Sequence, residues 1–160
     1  MKEAHHQTTY RIYENAAELT AEDAQLLAKA RAALNDAYAP YSHFFVGSAV
    51  RLENGEIVVG TNQENASFPL SLCAERVALG AVESRFPNAK VLAMAICIRY
   101  EKRLIERPAA PCGACRQVIV EKEWRQKAPF RILLQGEKGP VYMLSSGRDL
   151  LPLTFDPEYL

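Results

Sequence analysis

From Val91 to Ile98 the chain passes through eight apolar residues without a polar interruption. That is the length of a strand and far short of the roughly 20 residues a membrane-spanning helix needs. A strand whose side chains do not alternate has no face for water, so both of its faces must be covered. This one segment directs the chain toward a layered α/β fold with helices on both sides of a sheet.

The flanking segments supply the layers. Thr20 with Asp23 is a helix-start signal. Leu27, Ala30, Leu34 and Tyr38 then recur at helical spacing, and Pro40 ends the helix. Phe44–Leu52 and Glu56–Thr61 flank Glu53-Asn54-Gly55, and Asn-Gly between two apolar runs signals a hairpin. A second helix is expected over Cys73–Arg85, with Ala74, Val77, Ala78, Ala81 and Val82 on one side. A third begins near Cys112 and carries Val118, Ile119 and Trp124. Phe130–Gln135 and Val141–Leu144 read as strands separated by the turn Gly136–Pro140. Residues 1–19 read as a polar arm with a short strand at Tyr10–Tyr13, and Leu150–Leu160 as an irregular packing segment. The expected architecture is a three-layer α/β/α domain over residues 1–160, built on a mixed sheet of about five strands.

At 160 residues and 49% hydrophobic, the chain has enough apolar material for one core and too little for two. Lys plus Arg and Asp plus Glu both total 19. Without a basic excess a nucleic-acid partner is not expected, and a small molecule is. No apolar run is long enough to span a membrane. Met1–Tyr10 has no hydrophobic stretch, so no signal peptide is expected, and the expected compartment is the cytoplasm. Cysteines kept reduced there point to metal or catalysis more than to disulfides.

The chemistry concentrates in Cys73-Ala74-Glu75 and Pro111-Cys112-Gly113-Ala114-Cys115. Alone, Cys112-x-x-Cys115 is half a zinc site or a redox pair. Cys97 lies inside the all-apolar run and reads as a small core hydrophobe. Three cysteines remain, and catalytic zinc sites keep three protein ligands plus an open position. Cys73, Cys112 and Cys115 all fall at expected helix N-termini, which favour thiolates. Three thiolates and Zn²⁺ leave a net negative charge, which works against ionising a bound water. Arg116 follows a ligand directly and Arg76 stands three residues beyond one, and at least one of them is expected to donate to a ligand sulfur. Arg76 is the preferred donor, while Arg116 reads equally well as a solvated surface arginine. Glu75 sits close enough to exchange protons with a water at the metal. Taken alone it would be a carboxylate favoured by a helix start.

Cys73-x-Glu75 and Pro111-Cys112-x-x-Cys115 match the signature of the zinc nucleobase deaminases in its three-cysteine form. From about residue 20 onward the chain resembles the small homotetrameric cytidine deaminases. The resemblance rests on Pro40-Tyr41-Ser42-His43-Phe44-x-Val46-Gly47, Gly60-Thr61-Asn62-Gln63-Glu64-Asn65-Ala66-Ser67, Cys73-Ala74-Glu75-Arg76, Pro111-Cys112-Gly113-Ala114-Cys115-Arg116-Gln117 and Leu150-Leu151-Pro152-x-x-Phe155-x-Pro157. It implies zinc on the three cysteines, Glu75 as the proton carrier and Arg76 beside the thiolates. It also implies Asn62 and Glu64 on the ribose, Phe44 in the base pocket and backbone near Ala66 and Ala110 at the pyrimidine edge. Phe155 would be contributed to a neighbouring subunit's site.

Without the motif, Asn62 reads as a turn residue, Glu64 as a surface charge, and Phe44 and Phe155 as core or interface residues. His43 reads as structural. Phe45 stands where the family usually has proline, Leu153 and Thr154 replace small residues, and Phe68–Leu72 is a variable segment. The expected activity is hydrolysis of cytidine and 2′-deoxycytidine to uridine and 2′-deoxyuridine with release of ammonia. Rival readings are a deaminase of a modified cytosine nucleoside such as blasticidin S, an editor of tRNA or DNA, and a non-catalytic zinc-stabilised module. Neutral charge and a cysteine first ligand oppose the editor. Glu75 and the missing fourth ligand oppose the module.

Overall fold

In the computed structural model, which describes all 160 residues, the apolar run forms most of the longest strand of the sheet. The elements are β1 (Arg11–Tyr13), α1 (Ala21–Ala33), β2 (Phe44–Leu52), β3 (Ile57–Thr61), α2 (Ala74–Arg85), β4 (Val91–Tyr100), α3 (Gly113–Gln126), β5 (Arg131–Gln135) and β6 (Val141–Leu144). The sheet order is β1-β6-β5-β4-β2-β3. Every pair is antiparallel except β4 with β5, which the α3 crossover joins in parallel.

β4 shows why the run admits no polar residue. Ala93, Ala95 and Cys97 pack with Leu26, Leu27 and Ala30 of α1 in one core. Met94 and Ile96 pack with Ala78 and Val82 of α2 and Ile119 of α3 in the other. The exception is Leu92, which is 44% exposed. It falls where the register shifts, between the pairs Arg51↔Ala93 and Leu52↔Val91, so it has no partner of its own.

Three expectations change. The sheet has six strands rather than about five, because the arm pairs with β6 and covers that strand's free edge. Tyr10 packs its ring 5.0 Å from that of Tyr142 at the same edge. Tyr38 is not on the first helix. α1 ends at Ala33, a 3₁₀ turn follows over Leu34–Asp36, and Tyr38 is exposed. Its backbone bridges Asn62 and Glu64 instead, receiving a bond from Glu64 N at 2.9 Å and donating to Asn62 O at 3.0 Å. Trp124 also lies on the solvent side of α3, while Ile119 and Val120 face the core.

In other parts of the chain the local signals operate as expected. Thr20 Oγ1 accepts from Asp23 N at 3.2 Å at the start of α1. The hairpin is closed by Gly55 N donating to Leu52 O at 3.1 Å, with Gly55 at φ +87°. At Gly60 a Cβ would lie 2.4 Å from Ala78 N and 2.5 Å from Ala74 O, so only glycine lets α2 rest directly on β3. That contact seats the first turn of α2, where the chemistry sits.

Candidate active site

Two helix N-termini meet at the C-terminal half of β4. Cys73 is the N-cap of α2 and Cys112 the N-cap of α3, both in extended conformation. An N-cap side chain normally accepts from the first-turn amides. Neither cysteine does, which leaves both sulfurs free to face each other. Cys73 Sγ and Cys112 Sγ are 3.7 Å apart, and Cys112 Sγ and Cys115 Sγ 3.5 Å. The three sulfurs lie within 4.8 Å of one another. These separations are far longer than a disulfide bond. They fit a tetrahedral cation, since zinc–sulfur bonds of 2.3 Å place sulfurs about 3.8 Å apart. Cys97 belongs to the α1-side core, its thiol donates to Leu27 O, and burial pushes its pKa up to about 12.

The same helix turns bring charge to the cluster. The Cys73 thiol is pulled down to about 5, chiefly by a hydrogen bond from Cys115, assisted by Cys112 and by the Arg76 guanidinium. The charge of all three sulfurs raises the Arg76 pKa against the opposing effect of burial. Its Nη2 donates to Ser71 O at 3.1 Å. Arg116 turns away: Nε donates to Pro111 O at 2.8 Å and Nη1 to Leu150 O at 2.9 Å. Glu75 is 5% exposed. Burial lifts its carboxyl above the ordinary value, the Cys73 thiolate pushes the same way, and its own backbone N–H only partly opposes them.

A cavity of about 360 Å³ opens over this cluster, lined by Phe44, Asn62, Glu64, Cys73, Glu75, Cys112 and Ala110 among others. Asn62 secures the cleft wall, Oδ1 accepting from Val46 N at 2.8 Å and Nδ2 donating to Phe44 O at 2.9 Å. Glu64 Oε2 accepts from Tyr41 N at 2.9 Å and Ser42 N at 3.2 Å. Against desolvation, a hydrogen bond from the Ser42 side chain and these two amide bonds hold the carboxyl below its usual value.

Ala66, expected near the pyrimidine edge, lies outside this cavity, and so does Phe155, which was expected in a neighbouring subunit's site. Ala66 is exposed and absent from the lining. Phe155 is 59% exposed and stacks on Tyr159 at 5.7 Å. His43 pairs with Glu101 at 3.0 Å, away from the sulfurs. Phe45, in place of the usual proline, carries the Arg99 guanidinium 4.8 Å above its ring. The lining also includes Ile96 and Ile98 of β4, which sequence reasoning assigned to core. Nothing in an all-apolar strand marks which residues abut a cleft. Ser71 is a lining residue too, and its Oγ accepts from Asn65 N at 3.1 Å.

Three thiols and a buried carboxyl, delivered by two helix starts to the floor of a mostly apolar cleft, define a zinc hydrolase of the deaminase class. The model of the "Cytidine and deoxycytidylate deaminase zinc-binding region" family matches residues 20–128. A cytidine deaminase of Halalkalibacterium halodurans is 38% identical over 137 residues, 85% of this chain and 96% of that protein. One from Mycobacterium tuberculosis is 41% identical over 85 residues, 53% of this chain and 59% of that protein. The crystal structure of cytidine deaminase from Burkholderia pseudomallei superposes with a TM-score of 0.72 at 38% identity, covering 86% of this chain and all of that one. The chain belongs to the cytidine and deoxycytidylate deaminase family, and its cofactor is Zn²⁺.

Proposed function

We propose that this protein hydrolyses the exocyclic amine of cytidine and 2′-deoxycytidine, giving uridine or 2′-deoxyuridine and ammonia. The observation that carries the reading is the shared cleft. Buried Glu75 and the Cys73 and Cys112 sulfurs lie at one end and the Glu64 carboxylate lines the same space. Its volume falls in the range of small-molecule sites.

Zinc held by the three thiolates supplies the Lewis acidity that makes water a nucleophile near neutral pH. Glu75, whose raised pKa suits it to hold and release protons, takes one from the attacking water and delivers it to N3 of the base. It then carries the second proton to the departing amine, so one water enters and one ammonia leaves. Arg76 offsets the negative charge of the thiolates. Phe44 packs against the base, and Ala110 offers backbone to its edge. Glu64 spends Oε2 on Tyr41 and Ser42, which leaves Oε1 for the ribose 3′-hydroxyl. Asn62 keeps its second Nδ2 hydrogen for the same sugar. Recognition through the 3′ position accommodates ribose and deoxyribose alike.

The enzyme acts as a homotetramer in which Phe155 enters a neighbour's cleft. The exposure of Leu153, Phe155, Tyr159 and Leu160 on one short tail supports that arrangement. An ammonia-release assay on cytidine, deoxycytidine and blasticidin S tests the function. Turnover of the first two is expected. Full zinc content with no turnover of any would overturn the enzyme reading, and turnover of blasticidin S alone would reassign the substrate.

A further inference from the structure

The C-terminal tail departs from the fold at Leu150 and carries no fully buried residue from Leu151 to Leu160. Leu150 packs against the core, but beyond it the tail has no buried anchor, so hydrogen bonds help to set its path. Besides a backbone bond from Leu151 N to Arg148 O at 3.3 Å, the ones to the rest of the fold come from two adjacent side chains of α3, the helix that also carries Cys115. Arg116 bridges Pro111 O, just before Cys112, and Leu150 O, at the root of the tail, with bonds of 2.8 and 2.9 Å. Gln117 Nε2 donates to Phe155 O at 2.7 Å.

Between these two tethers the backbone adopts an unfavourable conformation. Leu153 has φ +56°, in the left-handed region, and its side chain is fully exposed. A leucine with no packing of its own holds that conformation only where its flanks impose it. The tethers at Leu150 and Phe155 are such flanks. They turn the tail so that Phe155 and Tyr159 stack and face outward together, 5.7 Å apart and 10° from parallel.

We propose that Arg116 and Gln117 are positioning residues that clamp the C-terminal tail to the metal-carrying helix and so set how Phe155 is presented to a second copy's cleft. The proposal rests on the reading that Phe155 completes a neighbouring site. The two residue types suit the task. A guanidinium donates from Nε and Nη1 in fixed directions and can span two carbonyls, which a lysine ammonium cannot do with the same geometry. A glutamine amide donates to a carbonyl, where an isosteric carboxylate would repel it.

The experiment compares Gln117→Glu, Arg116→Lys and Phe155→Ala with the wild-type zinc enzyme, by steady-state kinetics on cytidine, zinc content and hydrogen exchange of residues 150–160. In Gln117→Glu and Arg116→Lys, tail exchange should accelerate, and KM should rise about three- to fivefold, the effect of one lost hydrogen bond, with kcat within about twofold. Zinc should stay at the wild-type level. A KM rise in Phe155→Ala without one in the two clamp variants would overturn the clamp alone. An unchanged KM in Phe155→Ala would overturn the shared-site reading and the presentation role with it. Loss of zinc in parallel with kcat in both clamp variants would show that they serve the metal loop instead, which also overturns the clamp.

Discussion

Glu75→Gln keeps the size of the side chain and removes its capacity to carry a proton, so it separates chemistry from packing. General acid–base catalysis by one positioned group contributes about 10²–10⁴-fold. Glu75 is assigned two proton transfers in each turnover, so kcat should fall at least about 10³-fold, or roughly 4 kcal/mol of transition-state stabilisation. KM should change little, because Glu64 and Asn62 at the sugar end are untouched. Stability should move the other way. Burial and the Cys73 thiolate hold the Glu75 carboxyl above the ordinary value of 4.5. The unfolded chain therefore sheds this proton first, and the residue destabilises the fold increasingly as pH rises above that value. The variant should melt above the wild type at pH 7, with the gap closing as pH falls below 4.5, where both states are protonated. Absorbance loss of cytidine measures the first effect, and thermal unfolding of the metal-free proteins across pH measures the second. More than a tenth of wild-type kcat in a zinc-loaded variant would refute the proton role, and a lower melting temperature at pH 7 would refute the burial argument.

Cys112→Ala leaves two sulfurs in the cluster, and zinc retained after treatment with a chelator, read by emission spectrometry, should fall well below one per chain. Arg76→Gln removes the cation facing the thiolates and should weaken zinc affinity about tenfold or more in a competition titration with a chromogenic chelator, while the fold persists. Gly60→Ala places a methyl 2.4 Å from Ala78 N, and the denaturant midpoint should register a loss of about 1–3 kcal/mol together with reduced turnover, because the first turn of α2 must move. Asp23→Ala strips the 3.0 Å partner from Arg51 and the 3.1 Å partner from Arg131. The Arg51 side chain is 10% exposed and keeps only Glu22, at 3.6 Å, so a loss of about 1–3 kcal/mol is expected in the same assay, with kcat of the folded enzyme unchanged.

Much of this molecule could be read along the chain because short-range geometry settles it. The unbroken run in β4 required cover on both faces, Thr20 and Asp23 marked a helix start, and Asn54-Gly55 marked a reversal. Cys73-x-Glu75 and Cys112-x-x-Cys115 each fit within a single helical turn, so their spacing already implied a common local surface. Other features depended on partners distant in sequence. Tyr38 continues a helical pattern, yet the carbonyl and amide of the Asn62–Glu64 segment draw its backbone into a bridge. Leu92 is as apolar as its neighbours, yet a register shift exposes it. The arm became a sixth strand because β6 offered it an open edge.

Arg76 and Arg116 show the division most clearly. Each follows a zinc-ligand position or stands one residue beyond the glutamate of that motif, in the first turn or so of a helix, and local sequence treats them almost alike. In the folded chain Arg76 feels the charge of three sulfurs while donating to Ser71 O, whereas Arg116 finds the carbonyls of Pro111 and Leu150 within reach and bonds to both. The sequence by itself determined which side chains could carry charge and ligate metal, because those are properties of residue type and helical spacing. Only the tertiary structure decided which acceptor each guanidinium meets, because that depends on where the tail and the second helix come to rest.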